Sequence, residues 1–272
     1  MNALKNRVVI ITGASSGIGK ATAIAASAHG AKLVLAARNT ELLNNVASEC
    51  LKSTAEVIVV TADVSVEEDC KRIIHSTIEA YGRIDVLINN AGISMRAVFE
   101  QTDLKVLKRI MDVNYWGTVY CTKYALPWLL KSKGSVTGVS SIAGYKGLPG
   151  RTGYTASKFA MVGFLEALRI ENLHKGLHVL VACPGFTASN IRNTALAADG
   201  TQQGESPRDE SKMMTAEKVA HTMLKAIVKR KRTMTLTWEG KLTVTLNKFF
   251  PSVVDRMVFR HMAKEPDSPF NT

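Results

Sequence analysis

The regular alternation of short apolar runs with longer stretches of helical period constrains this chain more than any other feature. Residues 8–11, 33–36, 57–60, 86–88, 136–139 and 179–182 are short, mostly uncharged and largely β-branched. Such runs suit strands buried on both faces of a parallel sheet. Between them lie segments of helical period at 17–29, 41–52, 66–81, 104–130 and 154–175. Alternation of this kind means βαβ units with right-handed crossovers and helices on both faces. The expected architecture is a doubly wound α/β sheet, with a further strand at 233–237 bringing the total to seven.

Of 272 residues, 46% are hydrophobic and 21% charged, which excludes a disordered or low-complexity chain. No internal repeat and no Pro/Gly/Ser linker divides the sequence, so residues 1–272 read as one domain. The weakest stretch for regular structure is 195–211, rich in Gly, Gln, Asp and Glu; with its flanks it is read as a lid over residues 186–214. Thr215 is a capping residue for the helix that follows. Cys50, Cys70, Cys121 and Cys183 are scattered, with no paired spacing, which fits a reducing, cytoplasmic compartment. Neither a signal-peptide pattern nor an apolar run of membrane-spanning length is expected here.

The first apolar run leads directly into Thr12-Gly13-Ala14-Ser15-Ser16-Gly17-Ile18-Gly19, and then a helix begins. Glycines there let the backbone turn tightly and approach a pyrophosphate, which the N–H groups and dipole of a helix N-terminus stabilise. The spacing is Gly-x3-Gly-x-Gly rather than Gly-x-Gly-x2-Gly. An ordinary strand-to-helix turn is the bland reading. Its place after a strand and at the head of a βαβ unit is the context a dinucleotide site requires, so the sheet is expected to be of the Rossmann type.

Six motifs in order resemble the short-chain dehydrogenase/reductase family, in its branch of chains near this length. They are the turn at 12–19, Asn89-Asn90-Ala91-Gly92, Asn114 within Val113-Asn114-Tyr115, Ser140-Ser141, Tyr154-Thr155-Ala156-Ser157-Lys158, and Pro184-Gly185. The resemblance runs from about residue 5 to 235. It implies an oxidoreductase acting on CH–OH that interconverts a secondary alcohol and a ketone or aldehyde.

Tyr154 and Lys158 are four apart and share one helix face. A tyrosine with its usual pKa near 10 is a poor acid–base catalyst at neutral pH, and a neighbouring ammonium favours its phenolate. Tyr154 is therefore the expected acid/base with Lys158 tuning it, and the resemblance implies that Lys158 also holds the nicotinamide ribose. Ser141 stands thirteen residues before Tyr154, where its hydroxyl can bond the reacting oxygen; Ser140 is the alternative, and the family spacing selects Ser141. By resemblance Asn114 holds a water beside the lysine in a proton relay; a helix-kink or packing role is its alternative.

The second strand ends in Ala37-Arg38, where an acid that would bind a free ribose 2′-hydroxyl is missing. Arg38 can instead pair with a 2′-phosphate, and Ser15 can donate to the same group, so NADP(H) is expected over NAD(H). Asp63 and Val64 resemble the pair at the adenine edge, and Asn90, Ala91 and Gly92 pack beside the ribose. The resemblance implies that Pro184, Gly185, Thr187 and Ser189 belong to the carboxamide side. Thr187 and Ser189 depart from the family's usual aliphatic residue and threonine; the backbone contacts of Thr187 are expected to survive this, and Ser189 offers a shorter side chain.

Other chemistries find little support. His174 and His178 flank Gly176 and read as structural histidines rather than a metal pair, so no metal is expected. Residues 138–142 lack the final glycine of a hydrolase nucleophile elbow. Lys229-Arg230-Lys231-Arg232 reads as a solvated helix end, not a nucleic-acid site. A carrier-bound 3-oxoacyl reductase and a non-enzymatic nucleotide sensor are the rival functions. The substrate is expected to be a medium-sized apolar carbonyl compound or alcohol. A homodimer or homotetramer through the helices at 104–130 and 154–175 follows from the resemblance.

The formal charge is +12, and positions 225–264 carry ten Lys/Arg against two acids. The C-terminal extension at 238–272 resembles tails of hydroxysteroid dehydrogenases that dock on membranes. After Pro251, residues Val253, Val254, Met257, Val258 and His261 are placed on one helical face, with Arg256, Arg260 and Lys264 on the other. A cap over the active site is the preferred reading of 253–262, and peripheral membrane contact the secondary one.

Overall fold

Strand residues that alternate between two apolar faces need a cover on each. In the computed structural model, which describes residues 3–53, 56–206, 209, 213–265 and 268–270, they receive it. Seven strands, β1 (Val8–Thr12), β2 (Lys32–Ala37), β3 (Val57–Thr61), β4 (Val86–Asn89), β5 (Ser135–Val139), β6 (His178–Cys183) and β7 (Thr233–Thr235), form one sheet. The order is β3-β2-β1-β4-β5-β6-β7, and every pair is parallel. This is the doubly wound Rossmann sheet expected from the alternation.

Helices α1 (Gly17–Ala28), α2 (Thr40–Leu51), α3 (Glu67–Tyr81), α4 (Leu104–Met111), α5 (Gly117–Lys131), α6 (Thr152–Glu171) and α7 (Ala216–Val228) fill the connections. Val9, Ile11, Leu33 and Leu35 pack with Ala23 and Ala26 of α1 and with Val219 and Met223 of α7. Their neighbours Ile10, Val34, Leu87 and Val136 face the other way, onto Ile73 of α3, Leu129 of α5 and Leu165 of α6. The two-residue period of the strands thus builds two separate cores.

Local chemistry sets the helix ends. Asn39 Oδ1 accepts from Leu42 N (2.9 Å) ahead of α2, and Thr215 Oγ1 accepts from Lys218 N (3.3 Å) ahead of α7, the predicted cap. Glu67, Glu68 and Asp69 fill the first turn of α3, which ends at Gly82 in a left-handed conformation. Arg230 donates to the carbonyls of Lys133 (3.0 Å) and Gly176 (2.5 Å), so this part of the basic run ties off neighbouring segment ends. His178 is a core residue, bonded to Ser135 Oγ (2.8 Å) and the Lys231 carbonyl (2.9 Å).

Two sequence expectations are corrected. The helix at 104–130 runs through but not with one register: a π-helical turn, Asp112–Trp116, lies between α4 and α5. The tail is two helices, α8 (Trp238–Phe249) and α9 (Pro251–Ala263), and its apolar stripe is split. Val254 and Met262 are buried and Val258 is half-buried, whereas Val253, Met257 and His261 are exposed. Helical rotation puts positions 254, 258 and 262 inward and leaves 253 and 257, one residue round, outward. The lid at 186–214 is more ordered than its composition suggests in its described part, with bridges pairing Thr187 with Met214 and Leu196 with both Met95 and Gln202. Positions 207, 208 and 210–212 of the lid, and 266, 267, 271 and 272 of the tail, lie outside the described residues.

Candidate active site

Strand order reverses at β1, with β2 and β3 on one side and β4 to β7 on the other. Connections from the carboxyl ends of β1 and β4 therefore diverge and leave a crevice. A cleft of about 900 Å³ lies there. With the exceptions of Gly19 and Asn114, every site residue singled out in the sequence lines it: Gly13, Ser15, Ser16, Gly17, Ile18, Arg38, Asp63, Val64, Asn90, Ala91, Gly92, Ser141, Tyr154, Lys158, Pro184, Gly185, Thr187 and Ser189.

The glycine turn is built for close approach. Gly13 has φ +64°, and a Cβ there would lie 2.8 Å from Ala91 Cα. A Cβ on Gly19 would lie 2.1 Å from Gly13 O, so this glycine serves helix–turn packing rather than the cleft wall. Asn90 Nδ2 donates to the carbonyls of Thr12 (2.9 Å) and Gly13 (3.1 Å), holding the turn from the end of β4. Ser16, extended, precedes α1, so the helix N-terminus opens on the cleft. These features fit a pyrophosphate. Arg38 is exposed at the rim. Asp63 Oδ1 accepts from Ser65 N (3.0 Å) and Ser65 Oγ (2.7 Å), which shapes the turn after β3.

At the other end of the cleft, the fourth residue after Tyr154 brings Lys158 beneath it, with Nζ 5.6 Å from the tyrosine ring centroid. Lys158 is buried, donates to the Val139 carbonyl at 2.9 Å, and has its pKa pushed down by burial to about 8. Burial raises the Tyr154 pKa, with its hydrogen-bonding neighbour Ser141 and the charge of Arg151 pulling it back. The sequence expectation of a lowered tyrosine is thus opposed by desolvation, which prevails. Burial also pushes the Cys183 thiol behind the lysine up to about 12.

The two serines part company. Ser140 is buried with Oγ 3.5 Å from the Lys158 carbonyl, whereas half-buried Ser141 accepts from Ala143 N at 3.2 Å beside the tyrosine. Asn114 sits in the π turn, fully buried. Its Oδ1 accepts from Ile93 N (2.8 Å), and Nδ2 donates to Ile93 O (3.0 Å) and Ser157 Oγ (2.9 Å). Both amide hydrogens are used within the protein, so the packing role is filled. A Cβ on Gly92 would lie 3.2 Å from Asn114 Oδ1 and 3.4 Å from Lys158 Nζ, which locates the asparagine beside the lysine.

Several lining residues were not anticipated. Asn39 followed a strand and preceded a helical pattern, a readable cap signal. Arg109, 4.0 Å from Asp63, and Arg192, which donates to the Thr187 carbonyl at 2.5 Å, arrive from distant segments with no local signature.

A profile of the short chain dehydrogenase family matches residues 7–200. The 11-beta-hydroxysteroid dehydrogenase-like 4A protein of Arabidopsis thaliana is 41% identical over 83% of this chain and 73% of its own. Dehydrogenase/reductase SDR family member 7B of Mus musculus is 34% identical over 97% of this chain and 84% of its own. A crystal structure of a short chain dehydrogenase/reductase from Burkholderia phymatum in complex with NAD superposes with a TM-score of 0.83, at 24% identity, covering 93% of this chain and 96% of that one. With the Rossmann sheet, the glycine turn and the Tyr154–Lys158 pair on the same cleft, the chain belongs to the short chain dehydrogenase family and is an oxidoreductase.

Proposed function

We propose that this protein interconverts a secondary alcohol and a ketone or aldehyde with NADP(H), and that Tyr154 is its acid/base. The convergence of Ser141, Tyr154 and Lys158 at one end of a cleft whose other end is a pyrophosphate-shaped turn carries the reading. A bound nicotinamide supplies or accepts the hydride. In reduction the Tyr154 hydroxyl gives its proton to the carbonyl oxygen, and in oxidation the phenolate takes the proton back. Ser141 donates to the same oxygen. Lys158 holds positive charge beneath the tyrosine, and Asn114 fixes the backbone around it. Arg38 at the end of β2, with Ala37 before it, supports recognition of a 2′-phosphate. Leu148, Phe186, Ile191 and Leu196 give the substrate end an apolar wall, which suits a medium-sized apolar carbonyl compound.

The tail completes this reading. Phe186 of the cleft wall meets His261 of α9 at 6.2 Å between ring centroids, which supports a cap. Among the described residues no helix is long and apolar enough to cross a membrane. Exposed Trp238, Phe249, Phe250, Val253 and Met257 stand among Lys241, Lys248, Arg256 and Arg260, a pattern that supports peripheral contact with anionic lipid from a cytoplasmic location. Exposed Trp116, in the π turn that leads into α5, together with Phe159 and Ile170 of α6, supports a homodimer or homotetramer through α5 and α6.

The test is turnover on a panel of ketones, aldehydes and secondary alcohols with each nucleotide. Wild type turns over a member of the panel with NADP(H), and Tyr154→Phe binds nucleotide equally but does not turn over. Wild-type turnover in the variant sinks the assignment of the acid/base.

A further inference from the structure

The tail carries a buried carboxylate back to the cleft. Glu265, two residues beyond α9, has a side chain only 5% exposed. Its Oε2 lies 3.2 Å from Arg151 Nη2 and 3.6 Å from Arg96 Nε, and Oε1 accepts from Arg151 Nη2 at 3.5 Å. Both arginines are themselves nearly covered, Arg96 at 8% and Arg151 at 11% exposed.

What these arginines are attached to matters. Arg96 follows Ser94, which lines the cleft, and Met95, which bridges to Leu196 of the lid. Arg151 lines the cleft, stands immediately ahead of α6, and comes three residues before Tyr154. The two segments are joined directly by Ala97 N donating to Gly150 O at 3.0 Å. A second tie lies further back, where Lys146 meets Asp255 of α9 and donates to Asn247 Oδ1 of α8 at 2.7 Å. The carboxylate of Glu265 thus clamps one wall of the substrate end to the other.

We propose that Glu265 is a positioning residue: through Arg96 and Arg151 it sets the separation of the two walls around the substrate and tempers the positive charge that Tyr154 feels. This rests on the reading of Tyr154 as acid/base. Tyr154 is faced by Lys158 and Arg151 from its own helix and its lead-in, by Ser141 after β5, by Cys183 at the end of β6 and by Arg192 from the lid. Arg151 and Arg192 favour the phenolate. The Glu265 carboxylate opposes the first of them, so its neutralisation strengthens the pull toward phenolate.

Two variants of the full chain separate reach from charge, assayed with the substrate and nucleotide found in the panel. Glu265→Gln keeps the shape and removes the charge. The pH limb assigned to Tyr154 is expected to move down by about half a unit, with nucleotide affinity unchanged. Glu265→Asp keeps the charge and shortens the reach: the limb stays, and KM for the carbonyl substrate rises about fivefold. Arg96→Lys, which leaves Tyr154 and Arg151 intact, is expected to raise KM in the same way and covers a failure of either variant to fold. Lowered thermal stability with unchanged KM and an unmoved limb overturns the proposal and leaves Glu265 a structural residue. Failure of the acid/base reading shows separately, as turnover by Tyr154→Phe with Glu265 intact.

Discussion

Asn114 Nδ2 donates to Ser157 Oγ at 2.9 Å, and that hydroxyl donates in turn to the Tyr154 carbonyl at 2.7 Å. The π turn between α4 and α5 is thereby fastened to the helix that presents Tyr154 and Lys158. Ser157→Ala leaves a buried amide hydrogen of Asn114 without this partner. It is expected to destabilise the fold by about 1–3 kcal/mol, read as a lower midpoint in urea with an unchanged slope.

The two adjacent serines make a sharper contrast. Both line the cleft, but Ser141 stands beside Tyr154, while Ser140 Oγ lies 3.5 Å from the Lys158 carbonyl. Ser141→Ala is expected to lower kcat/KM about a hundredfold with little change in stability. Ser140→Ala should lose about 1 kcal/mol of stability and retain most turnover. Steady-state kinetics beside thermal melts checks both, and a reversed pattern would return the role to Ser140.

The proposed preference for NADP(H) rests on the exposed Arg38 after β2. Arg38→Asp is expected to weaken NADPH binding at least about tenfold, because a charge-assisted pair is replaced by repulsion, and to weaken NADH binding less. Calorimetric titration of both nucleotides into both proteins measures this. Equal wild-type affinities would remove the argument from Arg38.

Stability should depend on pH through Lys158, whose pKa is depressed by burial from 10.5 to about 8. Between those two values the unfolded chain binds more protons than the folded one, so stability rises with pH across that window and is lost as pH falls through about 8. Lys158→Met removes a charge whose burial is unfavourable at pH 7. The nucleotide-free variant is expected to be more stable than wild type there by about 1–2 kcal/mol, despite losing the bond to Val139. The difference should shrink toward pH 10.5, which denaturant titrations at several pH values would reveal.

The core of the fold was legible because its strands are covered on both faces. Runs such as Val8–Thr12 are apolar at every position but the last, and their shortness and β-branched residues mark them as buried strands. The nucleotide end of the cleft was legible for a related reason: Gly13 and Gly19 act through the backbone, where residue identity and local order decide the geometry. The π turn was invisible, since a slip of one residue in a long helix leaves its apolar period nearly intact. The phase of α9 is hidden in the sequence because exposed Val253 and Met257 are as apolar as the buried Val254. The inward face of that helix is matched by Asp255 meeting Lys146 across 109 positions, information no local window contains.

The strand order has a further consequence for how the sheet comes into being. As the chain emerges, β2 adds beside β1 and β3 beside β2; β4 then takes the opposite side of β1, followed in turn by β5, β6 and β7. Every new strand meets an edge that is free when it arrives, and none has to be inserted between two already paired. Synthesis and assembly can therefore proceed in the same direction, with the oldest strand at the interior and a growing margin on either side.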